Sequence, residues 1–199
     1  LSTFNLKDVP VSYLNNMSNE DTMSEKLPFR CPVKFVAEAI KDIIADKVVC
    51  DVGCAEGDLM KAITPYCKRT IGVEIDQAKF YSAKSKGLEV YHQNILVDAP
   101  EADIYFLWIE PRADLEICKF LLESTNKDIT ILVNRRKENE WKLGKLGETD
   151  QYIADLLSET IYLSYDEPDN AIPINSTGTS WNTFPNSGEW VVGVIKNHE

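Results

Sequence analysis

The sequence predicts an α/β fold, a three-layer sandwich in which a seven-stranded, mostly parallel sheet with an antiparallel C-terminal strand carries helices on both faces. Three observations predict it. Apolar, β-branched runs alternate with segments whose apolar residues recur at helical spacing, the rhythm of parallel strands joined by crossover helices. The run Val48-Val49-Cys50-Asp51-Val52 reads as a fully buried strand, and it breaks into Gly53-Cys54-Ala55-Glu56-Gly57-Asp58, with small residues on alternate positions, before a helix restarts at Leu59. The last two strands have no helix between them, which implies an antiparallel hairpin at one edge.

Residues 1–30 form an N-terminal arm rich in Asn, Ser, Thr and acids, with scattered anchors such as Phe4, Val11, Tyr13 and Leu14; it reads as a tail or as a lid over the domain spanning 31–199. Pro32 suits a first helical turn, and Val33, Val36, Ala37, Ile40, Ile43 and Ile44 follow at helical spacing, so a helix is expected over 32–45. After the first strand, Leu59, Met60, Ile63 and Tyr66 mark a helix expected to be capped by Asp58 and stopped near Pro65. The run 69–74 is a second strand, Asp76 caps a helix that Gly87 closes, and 88–92 is a third strand. Residues 102–109 make a fourth strand, 114–124 a helix, and 128–133 a fifth strand rich in β-branched residues. A helix from Thr149 or Asp150 to about Ser158 precedes the final strands, 160–165 and 189–195.

A net charge of −11 argues against broad attraction to nucleic-acid phosphates. The basic run Arg135, Arg136, Lys137, Lys142 and Lys145 reads as a solvated loop after the fifth strand. No apolar run approaches the roughly 18 residues of a membrane span. Five cysteines without a CxxC pair look like free thiols of a reducing compartment, which implies a cytoplasmic protein, and two histidines, His92 and His198, leave too few ligands for zinc. The chain begins at Leu1 rather than Met, consistent with a processed N-terminus.

The turn after the first strand selects among cofactors. A dinucleotide fingerprint needs glycine at its sixth place, ahead of an open helix N-terminus, and Asp58 stands there instead. Asp51, Glu56 and Asp58 around one turn suit a cationic ligand, and S-adenosylmethionine carries a sulfonium and an ammonium. Here the chain resembles the class I S-adenosylmethionine-dependent methyltransferases, whose first motif is an acid, any residue, then three small residues at alternate positions. Asp51, Gly53, Ala55 and Gly57 match it, with Ala55 standing where the family usually has glycine. That family ends with seven strands, the last reversed, so the resemblance covers roughly 32–196.

The resemblance implies roles for further residues. Glu74, about twenty residues beyond Gly53, grips both ribose hydroxyls, and Ile75 packs on adenine. Asn94 offers its carbonyl to the adenine amine and Ile95 a backbone N–H to the ring; an Asn after a strand is also an ordinary turn residue. Asp51 steadies the turn and reaches the methionine ammonium, and Cys54 lends backbone and a small side chain, as a buried thiol rather than a nucleophile.

Methyl transfer needs alignment and exclusion of water more than a dedicated base. The segment Trp108-Ile109-Glu110-Pro111-Arg112 follows the fourth strand, where Glu110 could bind an ammonium acceptor and help it lose a proton. Trp181 and Phe184, in the long segment 166–188, offer an acceptor wall or an edge plug, and 141–147, with its two glycines, a flap. The expected function is S-adenosylmethionine-dependent methyl transfer to a protein side chain, lysine among them, or to a small molecule. Alternatives are a non-catalytic S-adenosylmethionine-binding sensor or assembly subunit, and a nicotinamide enzyme.

Overall fold

The computed structural model describes residues 33–109, 111–136, 151–166 and 187–197. In chain order these form α1 (Val33–Ile44), β1 (Val48–Val52), α2 (Asp58–Ile63), β2 (Arg69–Glu74), α3 (Gln77–Ser85), β3 (Val90–His92), β4 (Ile104–Leu107), α4 (Pro111–Ser124), β5 (Thr130–Arg136), α5 (Gln151–Leu156), β6 (Leu157–Asp166) and β7 (Ser187–Lys196). The strands make one seven-stranded sheet in the order β3-β2-β1-β4-β5-β7-β6. β1 to β5 pair in parallel, and β7 runs antiparallel to both β5 and β6, so the expected hairpin closes one edge with its second strand inserted next to β5.

Period-two alternation along the central strands divides the core into two layers. Val49, Ile104, Phe106, Leu132, Val192 and Val194 pack on one face with Val36, Ile40 and Ile44 of α1 and Leu59 and Ile63 of α2. α3 extends this layer through Ala83, which packs with Met60, Val90 and Cys54. The alternate residues Cys50, Val52, Tyr105, Leu107, Ile131 and Val133 pack on the other face with Ile117, Cys118 and Leu121 of α4 and Ile153 of α5. Each layer keeps an apolar stripe dry, and that burial is the main favourable term holding the helices to the sheet.

Several boundaries differ from expectation for local reasons. Gly57, in a left-handed conformation, is the N-cap of α2 with no side-chain cap, so Asp58 is the first helical residue rather than the cap; its charge still sits in the first turn. α4 starts at Pro111, three residues ahead of Asp114, because proline fits a first helical turn. β3 is shorter than 88–92 because Leu88 turns to pack beside Gly57. β5 extends past Val133 through Arg136, carried by its antiparallel pairing with β7 up to Trp190. The caps at Asp76, which accepts from Lys79 N at 2.9 Å, and at Gly87, with φ 78°, stand as expected.

Candidate functional site

Val52 lies abreast of Val73 on β2 and Leu107 on β4, so the turn that follows it sits at the carboxyl rim of three parallel strands. Gly53, Ala55 and Gly57 all take positive φ, at 71°, 48° and 80°. Gly53 N and Cys54 N both donate to Val73 O (2.8 and 3.1 Å), and Gly57 N donates to Cys54 O (2.8 Å), which fastens the turn to the end of β2. Small residues leave the backbone of this turn open to close approach. Packing limits them as well: a Cβ on Gly53 would stand 3.1 Å from Ile109 Cγ1, and one on Gly57 would stand 2.1 Å from Leu88 Cδ1.

Glu74 closes the turn from beneath. Its carboxylate is 6% exposed and accepts from Ala55 N through Oε2 and from Asp76 N through Oε1, both at 2.8 Å. The bond from Ala55 N helps to hold Ala55 in its left-handed conformation, and the bond from Asp76 N fixes the carboxylate that receives it. Each oxygen keeps further acceptor capacity, so hydroxyl donors can still be received there. Asp51 is opposite Gly72 and therefore presents its side chain on the same face as Glu74. Burial first, and then the charge of Glu74, push the Asp51 carboxyl up to about 8. Asp51 thus takes up its full charge at neutral pH only when a positive group comes beside it.

The other residues singled out from the sequence fall around this turn. Cys54 is buried, and burial pushes its thiol up, away from the thiolate a nucleophile needs. Ile75 is half-buried after β2, its carbonyl 3.0 Å from His92 Nε2. Asn94 is built as a turn residue: Oδ1 accepts from Leu96 N (3.0 Å) and the backbone carbonyl accepts from Val97 N (3.0 Å), so one acceptor direction of the side chain is used by the chain itself. Ile95 packs into the core with Val73 and Leu107, which leaves its side chain committed to packing. Glu110, Trp181, Phe184, the segment 141–147 and the arm 1–30 lie outside the described residues.

Two features escaped the sequence reading. Lys86, at the end of α3, brings Nζ to both Glu56 O and Glu56 Oε2 at 3.0 Å, tying the outer side of the turn across 30 residues of sequence, with no local pattern to announce it. Arg135, expected in a solvated loop, is 6% exposed on β5 and paired with the fully buried Asp114 of α4. Leu132-Val133-Asn134-Arg135 shows no alternation that would announce the strand's continuation, which is carried by pairing with β7. Cavities of about 430 Å³ open beside Tyr105 and Phe120 and between Lys47 and Lys196, both toward the amino ends of β4 and β5, and neither borders the turn. Among the described residues no three His, Cys, Asp or Glu side chains gather as a metal site, and no helix is long and apolar enough to cross a membrane.

No family model and no curated protein matches the chain. Solved structures do. An S-adenosylmethionine-dependent methyltransferase from Archaeoglobus fulgidus superposes with a TM-score of 0.55 at 12% identity, over 88% of this chain and 99% of that one. The N-methyltransferase NodS from Bradyrhizobium japonicum, in complex with S-adenosylhomocysteine, gives 0.55 at 12% identity, over 95% and 98%. A dimethyladenosine transferase from Plasmodium falciparum gives 0.52 at 18% identity over 82% of this chain, which spans only 60% of that longer one. With its sheet order and single reversed strand, this chain has the fold of the class I S-adenosylmethionine-dependent methyltransferases.

Proposed function

We propose that the protein is a methyltransferase that binds S-adenosylmethionine at the turn between β1 and α2 and transfers its methyl group to a protein side chain, lysine among them, or to a small molecule. The observation that carries this reading is the left-handed turn Gly53–Gly57 clamped by Glu74, with Asp51 buried beside it. Two carboxylates on one face, at the rim of the sheet, favour a cationic ligand and disfavour pyrophosphate. Structures with this fold include methyltransferases solved with S-adenosylhomocysteine.

In this reading Glu74 receives the ribose hydroxyls with the acceptor capacity its two backbone bonds leave free, and Ile75, Asn94 and the Ile95 backbone flank the adenine. Asp51 orients the turn and faces the methionine ammonium. Gly53, Cys54, Ala55 and Gly57 supply backbone against the rest of the ligand. Glu110, between Ile109 and the start of α4, holds an amine acceptor and takes its proton. The cofactor supplies the activated methyl group.

The test is incubation with S-adenosylmethionine labelled in the methyl group, together with a cell extract. Labelled product, diminished in Glu110→Gln, is expected. Donor binding without labelled product in any fraction would move the protein to the second reading, a non-catalytic sensor or assembly subunit, which the non-glycine Ala55 in its left-handed conformation favours.

A further inference from the structure

We infer that Asn134, at the rim of β5, recognises the methyl acceptor, and that this acceptor is a nitrogen heterocycle of the nucleobase kind, presenting an amine beside a ring nitrogen. The inference rests on the methyl-transfer reading above and narrows its acceptor. Leu107 is aligned with Val52 on one side and Val133 on the other, so one step further along the rim come Gly53, Trp108 and Asn134 in a row. With adjacent strands about 4.8 Å apart, Asn134 lies roughly 10 Å from the start of the turn, across Trp108. That is the span of one bound ring and a methyl group in transit.

Asn134 also faces the right way. It follows Leu132 by two residues and is paired with Val192, and both pack in the layer that α1 and α2 cover; Trp108 packs against the same layer. Asp51 shares this face, two residues beyond Val49. Arg135, by alternation, turns to the opposite face, where it pairs with Asp114.

The amide of Asn134 is 1% exposed, and neither Nδ2 nor Oδ1 has a hydrogen-bond partner among the described residues. A buried amide left this way is costly, and a ligand that satisfies it recovers that cost on binding. The amide needs a donor and an acceptor side by side in one plane. An ammonium offers donors only and a carboxylate acceptors only. An aminopurine or aminopyrimidine edge offers both, which is how asparagine reads adenine, and the indole of Trp108 provides a flat neighbour for the ring.

The test uses the full-length protein with S-adenosylhomocysteine bound, and follows the side-chain amide resonances of Asn134, assigned by their absence in Asn134→Leu. Adenosine, or a short oligoadenylate if the base is read within a strand, is expected to shift this pair, whereas N6,N6-dimethyladenosine, which lacks the donor, is not. Asn134→Leu should weaken adenosine binding by roughly tenfold, leave S-adenosylhomocysteine binding unchanged and raise the urea midpoint, because an enclosed polar group has gone. The proposal is overturned if neither probe moves the pair, if the dimethylated base moves it equally, or if the amide exchanges only with a buried water and Asn134→Leu binds adenosine as before. Failure of S-adenosylhomocysteine to bind, with the pair still responding to adenosine, would remove the methyl-transfer reading and leave base recognition standing.

Discussion

Ala55 carries a methyl group into a conformation, φ 48°, that glycine adopts without cost. A left-handed L-residue is disfavoured by about 1–2 kcal/mol, and Glu74 Oε2, accepting from Ala55 N, helps to hold it there. Ala55→Gly should therefore stabilise the chain by about 0.5–1 kcal/mol, after the greater freedom of glycine in the unfolded state is deducted, and the urea midpoint should rise. Asp51 makes a second prediction. Its carboxyl, pushed up to about 8 by burial and by Glu74, binds a proton in the folded state that the unfolded state, titrating near its usual value of about 4, has already released. Its contribution to stability is thus fully present below about pH 4 and is lost as pH rises through about 8. Asp51→Asn should flatten this decline, read as urea midpoints across that range. That Asp51, Glu74 and the small residues meet around one turn was legible in the sequence, because residues at the ends of neighbouring parallel strands share a rim. That Glu74 also clamps Ala55 was not, since the bond depends on how the turn folds back on β2.

At the scale of elements, apolar runs and spacing together with capping residues such as Asp76 and Gly87 located all five helices and seven strands of the described chain, and errors arose where one element answered to another. Asp114 was read as a helix start and Arg135 as loop, yet the two meet across the sheet layer with almost no exposure. Charge in a sequence signals solvent unless a partner far along the chain removes it, and such a partner has no local signature. Arg135→Ala leaves Asp114 charged and buried, so it should destabilise the protein by about 3–5 kcal/mol, whereas the double replacement Asp114→Leu with Arg135→Leu should cost much less. Denaturant titration of the two variants distinguishes a structural pair from surface charge. Because this pair joins the first turns of α4 to β5, its loss should also blur the rim on which Trp108 and Asn134 stand.

At the scale of the molecule, an alternating chain with one terminal hairpin led to the observed sheet, because crossover connections between parallel strands leave few other topologies. The placement of β7 between β5 and β6 is what brings Val192 beside Asn134 and so completes the rim. The acidic balance of −11 belongs to this scale as well, since it favours cationic ligands around the whole surface while the buried pair Asp51 and Glu74 does so at one point. That point is the centre of the account, and calorimetric titration of the full chain tests it most directly. S-adenosylmethionine should give a saturable heat with one site per chain, abolished by Glu74→Ala, while a nicotinamide dinucleotide gives none. A chain silent toward the sulfonium donor, or one that binds the dinucleotide instead, would contradict it.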